Sequence, residues 1–181
     1  MELFAEVLNA CPFAELLLKS PSFQEKDEQE RILNLGRRVG LDCKRVLLDG
    51  WCNSHLEHLH CYRKVDLCLD PTPYSGATTS VDALAMGVPV VTLRGRSSAG
   101  RLTASVLSHA GLSDWITENK SNYVQRALQA YEQGPRLLAQ RQCLREAISA
   151  SSFGAPARLA KELEQLFYQK VEELERSYGY F

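Results

Sequence analysis

The chain predicts an α/β fold, a Rossmann-like parallel sheet with helices on both faces, and three observations predict it. Short apolar runs recur through the first two thirds of the sequence, among them Leu16-Leu17-Leu18, Val46-Leu47-Leu48 and the stretch from Val88 to Leu93. Segments with helical periodicity separate them at intervals of roughly 20–25 residues, the signature of repeated βα units. The runs are near-continuous rather than alternating, as strands buried on both faces are.

The elements follow in order. Leu3, Phe4, Val7 and Leu8 recur at helical spacing, giving an opening helix that ends near Cys11-Pro12. Glu15 to Lys19 reads as a buried strand stopped by Ser20-Pro21, and residues 24–38 as a helix ended by Gly40. Arg45 to Asp49 is a strand, Ser54 to Tyr62 a short helix, and Val65 to Asp70 a strand. Pro71 to Ala77 is a loop. Thr79 to Met86 is a helix with Gly87 and Pro89 as its stop. Val88 to Leu93 is a strand, Arg94 to Gly100 a Gly/Ser loop, and residues 101–110 a helix stopped by Gly111. Trp115-Ile116 gives an edge strand. Helices follow over 121–133 and 135–149, divided at Gly134-Pro135, and a last one runs from about Pro156 to Tyr178. The organisation is one domain over residues 1–181, with an α/β core at 1–120 and a helical tail at 121–181.

Composition narrows the function classes. The chain has 181 residues, 45% of them hydrophobic and 24% charged, with 21 Lys plus Arg against 22 Asp plus Glu, a net charge of −1. That balance is not one that grips nucleic-acid backbones or anionic lipid. The longest apolar runs, Ala14 to Leu18 and Val88 to Leu93, fall far below the roughly 18 residues of a membrane span. The acidic, amphipathic N-terminus is no signal peptide. The six scattered cysteines then read as reduced thiols, and the expected location is cytoplasmic.

In an open α/β sheet, ligands bind beyond the carboxyl ends of the strands. Of the loops after Leu18, Asp49, Asp70 and Leu93, the third carries the strongest pattern, from Asp70 to Asp82. Gly76 and Ala77 leave the backbone bare, and Thr78 and Thr79 open a helix whose first N–H groups lack intrahelical partners. Those amides, the helix dipole and the hydroxyls suit a phosphate or diphosphate. Asp82, one turn in, suits a ribose hydroxyl pair. Equally, Thr78 or Thr79 is a simple N-cap and Asp82 a first-turn acid.

The loop after Asp49 concentrates three of the four histidines. Cys52, His55, His58 and Cys61 stand three apart, which invites zinc. Structural zinc sites draw ligands from two separated segments, and three residues rotate a helix by about 300°, so contact with a ligand's base or phosphate, or a solvated helix face, is preferred. The arginines of Arg94 to Arg101 suit phosphate or an acidic acceptor, with solvated loop charge as the alternative. His109 reads as a packed or capping residue.

The ordered blocks Val65 to Asp70, Pro73 to Thr79, Asp82-Ala83-Leu84 and Met86 to Leu93, with Glu57-His58-Leu59 before them and Gly100-Arg101-Leu102, Ala104-Ser105 and Gly111-Leu112 after, resemble the O-linked N-acetylglucosamine transferase family. The likeness is to the C-terminal half of its catalytic region and covers nearly the whole chain. It implies the C-terminal, donor-binding domain of a GT-B glycosyltransferase that moves N-acetylglucosamine from UDP-GlcNAc, or a related nucleotide sugar, to Ser or Thr of proteins. The family roles then place Gly76, Ala77, Thr78 and Thr79 at the diphosphate, Asp82 at the ribose, and His58 against the nucleoside. Backbone around Asn53 would read the uracil edge. Two positions depart from the pattern: Ala77 stands where many members carry His, and His55 where some carry Lys. The resemblance further implies that the domain's first strand precedes Met1, leaving a gap in the sheet that a second copy could cover. It also implies that the acceptor is held by an absent N-terminal domain and tetratricopeptide repeats. No catalytic residue, cofactor or metal is expected in this chain, which alone should bind UDP weakly and transfer nothing. The alternative is a nucleotide-binding or protein-interaction module with a decayed site.

Overall fold

The computed structural model describes residues 1–178; residues 179–181, the end of the expected tail, lie outside the described residues. Helix α1 (Glu2–Ala10) leads into strand β1 (Leu16–Lys19), helix α2 (Lys26–Arg38) and strand β2 (Val46–Asp49). Helix α3 (His55–Cys61), strand β3 (Cys68–Asp70), helix α4 (Ala77–Ala85), strand β4 (Val90–Leu93), helix α5 (Leu102–His109) and strand β5 (Ile116–Thr117) complete the α/β part. Four helices follow: α6 (Lys120–Gln133), α7 (Pro135–Ala139), α8 (Arg141–Ala150) and α9 (Pro156–Tyr178).

All described strand pairings are parallel, but they form two sheets. β1 pairs with β2, Leu16 opposite Val46 through Lys19 opposite Asp49. β4 lies between β3 and β5. Neither β1 nor β3 bonds to the other. A cleft of about 890 Å³ is lined by both, residues 16–19 on one side and 67–70 on the other. The parallel strands expected from the apolar runs are present, and they divide into two sheets between β1 and β3.

β3 is shorter than its apolar run. Val65 to Leu67 find no ladder partner because Gly87 and Val88 are used up closing α4, with Gly87 N–H donating to Leu84 O and Val88 N–H to Ala83 O. Pairing starts where Cys68 N–H donates to the Pro89 carbonyl at 2.9 Å. Gly87 adopts φ +76°, and a Cβ there would sit 2.7 Å from the Arg141 carbonyl, so only glycine fits between α4 and α8.

β4 is buried along its whole length, which requires cover on both faces. The principal core contains Leu84, Val88, Val90, Val91 and Leu107. α6, which the sequence reading put in the tail, adds Tyr123, Ala127 and Ala130 to that same core. α1 joins the two sheets: Leu3 and Val7 belong to the principal core, whereas Ala5 and Leu8 pack with Leu16 and Leu41. The Arg45 guanidinium ties down the end of α1 by donating to the carbonyls of Leu8, Cys11, Pro12 and Ala14 at 2.9–3.2 Å. These include carbonyls that a helix C-terminus leaves unpaired. α9 is exposed throughout its described side chains. Among the described residues no helix is long and apolar enough to cross a membrane.

The Tyr123 hydroxyl is the described buried side-chain polar atom without a hydrogen-bond partner. Tyr123→Phe should therefore leave stability unchanged or slightly higher, because it removes an unpaired polar group from the core. Leu84→Ala, at a fully buried position, should cost about 2–5 kcal/mol. Urea denaturation of the two variants checks both.

Candidate functional site

The site grows from the carboxyl end of β3. Asp70 is buried at 8% exposure, and its carboxylate gathers three donors. The Thr92 hydroxyl donates at 2.6 Å and the Ser75 hydroxyl at 2.8 Å to Oδ2, while the Gly76 N–H donates at 2.7 Å to Oδ1. Ser75 Oγ in turn accepts from Thr103 N–H at 2.9 Å, and Ser80 Oγ lies 2.8 Å from Thr103 Oγ1. A buried charge persists only when it is hydrogen-bonded in this way. The network fastens the loop to β4 and α5.

That loop starts α4 two residues earlier than Thr79, the start expected from the sequence. Gly76 is the N-cap, and Ser80 N–H donates to its carbonyl at 2.8 Å. Neither Thr78 nor Thr79 is a capping residue. The Thr79 hydroxyl donates back to Gly76 O at 2.8 Å, so its proton is not offered outward. Ala77 N–H reaches Ser75 O at 3.2 Å. The N–H groups of Thr78 and Thr79 have no partner among the described residues, and both residues are exposed. Two free amides at the start of a nine-residue helix concentrate partial positive charge. A Cβ on Gly76 would lie 2.5 Å from Thr79 Oγ1, so a side chain there would displace the Thr79 hydroxyl from the Gly76 carbonyl.

α3 supplies the second wall. Ser54 caps it by accepting from Glu57 N–H at 3.2 Å, and Glu57 reaches back to the Asn53 N–H at 2.8 Å. That N–H is thus already engaged, and recognition by backbone around Asn53 falls to its other groups. Tyr62 OH donates to Thr79 O at 3.1 Å and holds α3 on α4. His58 sits edge-on to Tyr62, with its Nε2 3.7 Å from Asp82 Oδ2. His58 and Thr79 both line the cleft, and Asp82 stands beside His58. His55 stacks on His58 with ring centroids 6.2 Å apart.

The structure therefore gathers His58, Thr79 and Asp82 around one end of the cleft. The first turn of α4, Gly76 to Thr79, adjoins them; His55 reaches the group only through its stacking on His58, and neither His55 nor Asn53 is among the residues that line the cleft. Of the arginine loop, Arg94 pairs with Glu118 at 3.0 Å and Arg101 donates to Ser97 O at 3.3 Å, while Arg96 is exposed. His109 holds Ser105 O at 2.8 Å within its helix. Among the described residues no cluster of three or more His, Cys, Asp or Glu could hold a metal ion. The sequence reading missed the role of Asp70 as organiser. An acid ending a strand before a Pro/Ser/Gly loop is the one signal it offered.

Glycosyl transferase family 41 matches residues 1–157. The structure superposes on an O-GlcNAc transferase mutant from Thermobaculum terrenum with a TM-score of 0.85 and 33% identity, covering 93% of this chain and 32% of that one. The probable UDP-N-acetylglucosamine–peptide N-acetylglucosaminyltransferase SPINDLY of Solanum lycopersicum is 30% identical over 167 residues, which is 92% of this chain and 18% of that protein. The UDP-N-acetylglucosamine–peptide N-acetylglucosaminyltransferase of Caenorhabditis elegans is 27% identical over 128 residues, 71% of this chain and 11% of that protein. The chain thus spans less than a fifth of the length of these curated relatives.

Asp70→Ala strands three donors and should lower the unfolding free energy by about 3 kcal/mol or more. Thr78→Ala, exposed and unbonded, should stay within about 0.5 kcal/mol of the parent chain. Urea unfolding followed by circular dichroism distinguishes the two.

Proposed function

The chain belongs to glycosyl transferase family 41, and from that premise we propose that it holds the UDP moiety of a nucleotide-sugar donor, UDP-GlcNAc. The transfer it serves moves N-acetylglucosamine to a Ser or Thr hydroxyl of a protein. The observation that carries this reading is the pair of free amides at Thr78 and Thr79, exposed at the start of α4. In the transfer the bond between the sugar's anomeric carbon and the diphosphate breaks, and negative charge grows on the departing UDP. Fixed N–H dipoles aimed at that charge lower the barrier without reorganising.

The other residues take complementary parts. Asp82 accepts from the ribose hydroxyls, its carboxylate 3.7 Å from His58 and so not committed to a short ion pair. His58 lies along the nucleoside, with Tyr62 fixing its ring. Gly76 and Ala77 keep the approach to the diphosphate open, and Asn53 and His55 border the base. Charge neutralisation by amides calls for no metal. No residue of this chain is assigned as acceptor site or catalytic base, and the chain, which spans less than a fifth of its curated relatives, should bind donor without transferring the sugar. The thiols among the described residues are all unpaired, which supports a cytoplasmic location. A homodimer in which a second copy covers the gap between β1 and β3 belongs to the same reading, and a monomer in size-exclusion chromatography would count against it.

Calorimetric titration with UDP tests the assignment. The parent chain should bind weakly, and Thr78→Ala combined with Asp82→Ala should weaken binding at least tenfold, or about 1.4 kcal/mol. Equal affinity in the two would remove the Asp82 carboxylate and the Thr78 hydroxyl, the groups these substitutions delete, from the site.

A further inference from the structure

Cys52 and Cys61, which the zinc reading had set in one series with His55 and His58, meet where the loop before α3 passes the last residue of that helix. Their sulfurs are 3.8 Å apart. The Lys19 ammonium, at the end of β1, donates to Cys52 Sγ at 2.9 Å and to Asp49 Oδ2 at 3.1 Å. Cys61 Sγ lies 3.7 Å from the same Asp49 oxygen and 3.3 Å from Glu57 O. Both thiols are partly exposed, and Cys61 lines the open cleft.

The four groups differ in chemistry. Partial burial works against the Lys19 ammonium, but its hydrogen bonds to Cys52 and Asp49 outweigh that and hold it above the ordinary lysine range. Lys19 is thus a permanent positive charge on Cys52 sulfur, the setting in which a cysteine becomes a nucleophile. Burial and the neighbouring Cys52 push the Cys61 thiol up, so it keeps its proton until it reacts. Elsewhere, burial pushes Cys68 up to about 12 and also raises Cys11. Those thiols have no comparable partner.

We propose that Cys52 and Cys61 form a reversible modification site, a dithiol that a hydroperoxide oxidises to an intramolecular disulfide. Cys52 sulfur, 2.9 Å from the Lys19 ammonium, gives up its proton and attacks one peroxide oxygen. The O–O bond breaks, Cys52 becomes a sulfenic acid, and the other oxygen leaves as water after taking a proton. Cys61 sulfur then attacks Cys52 sulfur and the S–O bond breaks. The Cys61 proton passes by way of Asp49 to the departing hydroxide, which leaves as a second water. Two thiols and one hydrogen peroxide thus give one disulfide and two waters, the thiols supplying both electrons. Closing the sulfurs from 3.8 Å to about 2.0 Å draws the loop of residues 50–54 onto the end of α3. The chemistry of the pair is independent of what the cleft binds.

Hydrogen peroxide treatment of the whole chain, followed by tryptic mass mapping, is the test. Both cysteines fall in the single peptide Val46–Arg63. That peptide should become two hydrogens lighter, regain them on reduction, and remain joined when cut after Glu57. Cys61→Ser should accumulate a dimedone-reactive sulfenic acid at Cys52. Lys19→Met should slow oxidation roughly tenfold, whereas Lys19→Arg keeps the parent rate. Peroxide that leaves peptide 46–63 unchanged while exposed Cys143 oxidises would overturn the proposal. So would Cys61→Ser without adduct at Cys52, and equal rates for Lys19→Met and the parent chain would remove the role of Lys19.

Discussion

One buried carboxylate organises this structure. Asp70 ends β3 inside the protein, and its charge can stay there only if it is surrounded by donors. It takes them from β4 through Thr92, from the following loop through Ser75, and from the first residue of the α4 cap through Gly76. These bonds fix where α4 begins and which amides it leaves free. Tyr62, bonded to Thr79 O, then sets α3 against α4 and with it the place of His58. The geometry at the end of the cleft follows from a group that need not touch a ligand.

The division of labour between side chain and backbone follows. Asp70 uses the Gly76 N–H, Ser75 O engages Ala77, and the Thr79 hydroxyl turns inward to Gly76 O. What is left facing outward is main chain: the N–H groups of Thr78 and Thr79. A helix start stripped of its own caps suits an anion better than one satisfied by a serine or aspartate, because no internal acceptor has to be displaced. On the opposite flank, Lys19 is held by Asp49, Gly50 O and Cys52. Its charge is spent on the β1–β2 sheet and the thiol pair rather than on the helix start.

The secondary structure was largely legible in the sequence because apolar runs and Gly/Pro punctuation are local. The strands at 16–19, 46–49 and 90–93 lie where the runs of Leu and Val place them. What the sequence hid was set by distant groups. α4 starts at Ala77 because Asp70 reaches across six residues to Gly76, a bond that no capping pattern encodes. β3 is short because Gly87 and Val88 close a helix instead of extending β4. α6 enters the core because Tyr123, Ala127 and Ala130 face β4 and α1, a choice of partner that helical periodicity leaves open. At the site, the family resemblance brought together His58, Thr79 and Asp82, which the fold places side by side. It did not reveal that the Thr79 hydroxyl is turned inward, that Glu57 holds the Asn53 N–H, or that Cys52 and Cys61 are neighbours. Each of those depends on a rotamer or a loop path.

The most direct measurement is a crystal structure of the chain with UDP. The diphosphate oxygens should lie within hydrogen-bond distance of the Thr78 and Thr79 nitrogens, with the ribose hydroxyls on Asp82. Diphosphate bound elsewhere, with that helix start still bare, would contradict this placement.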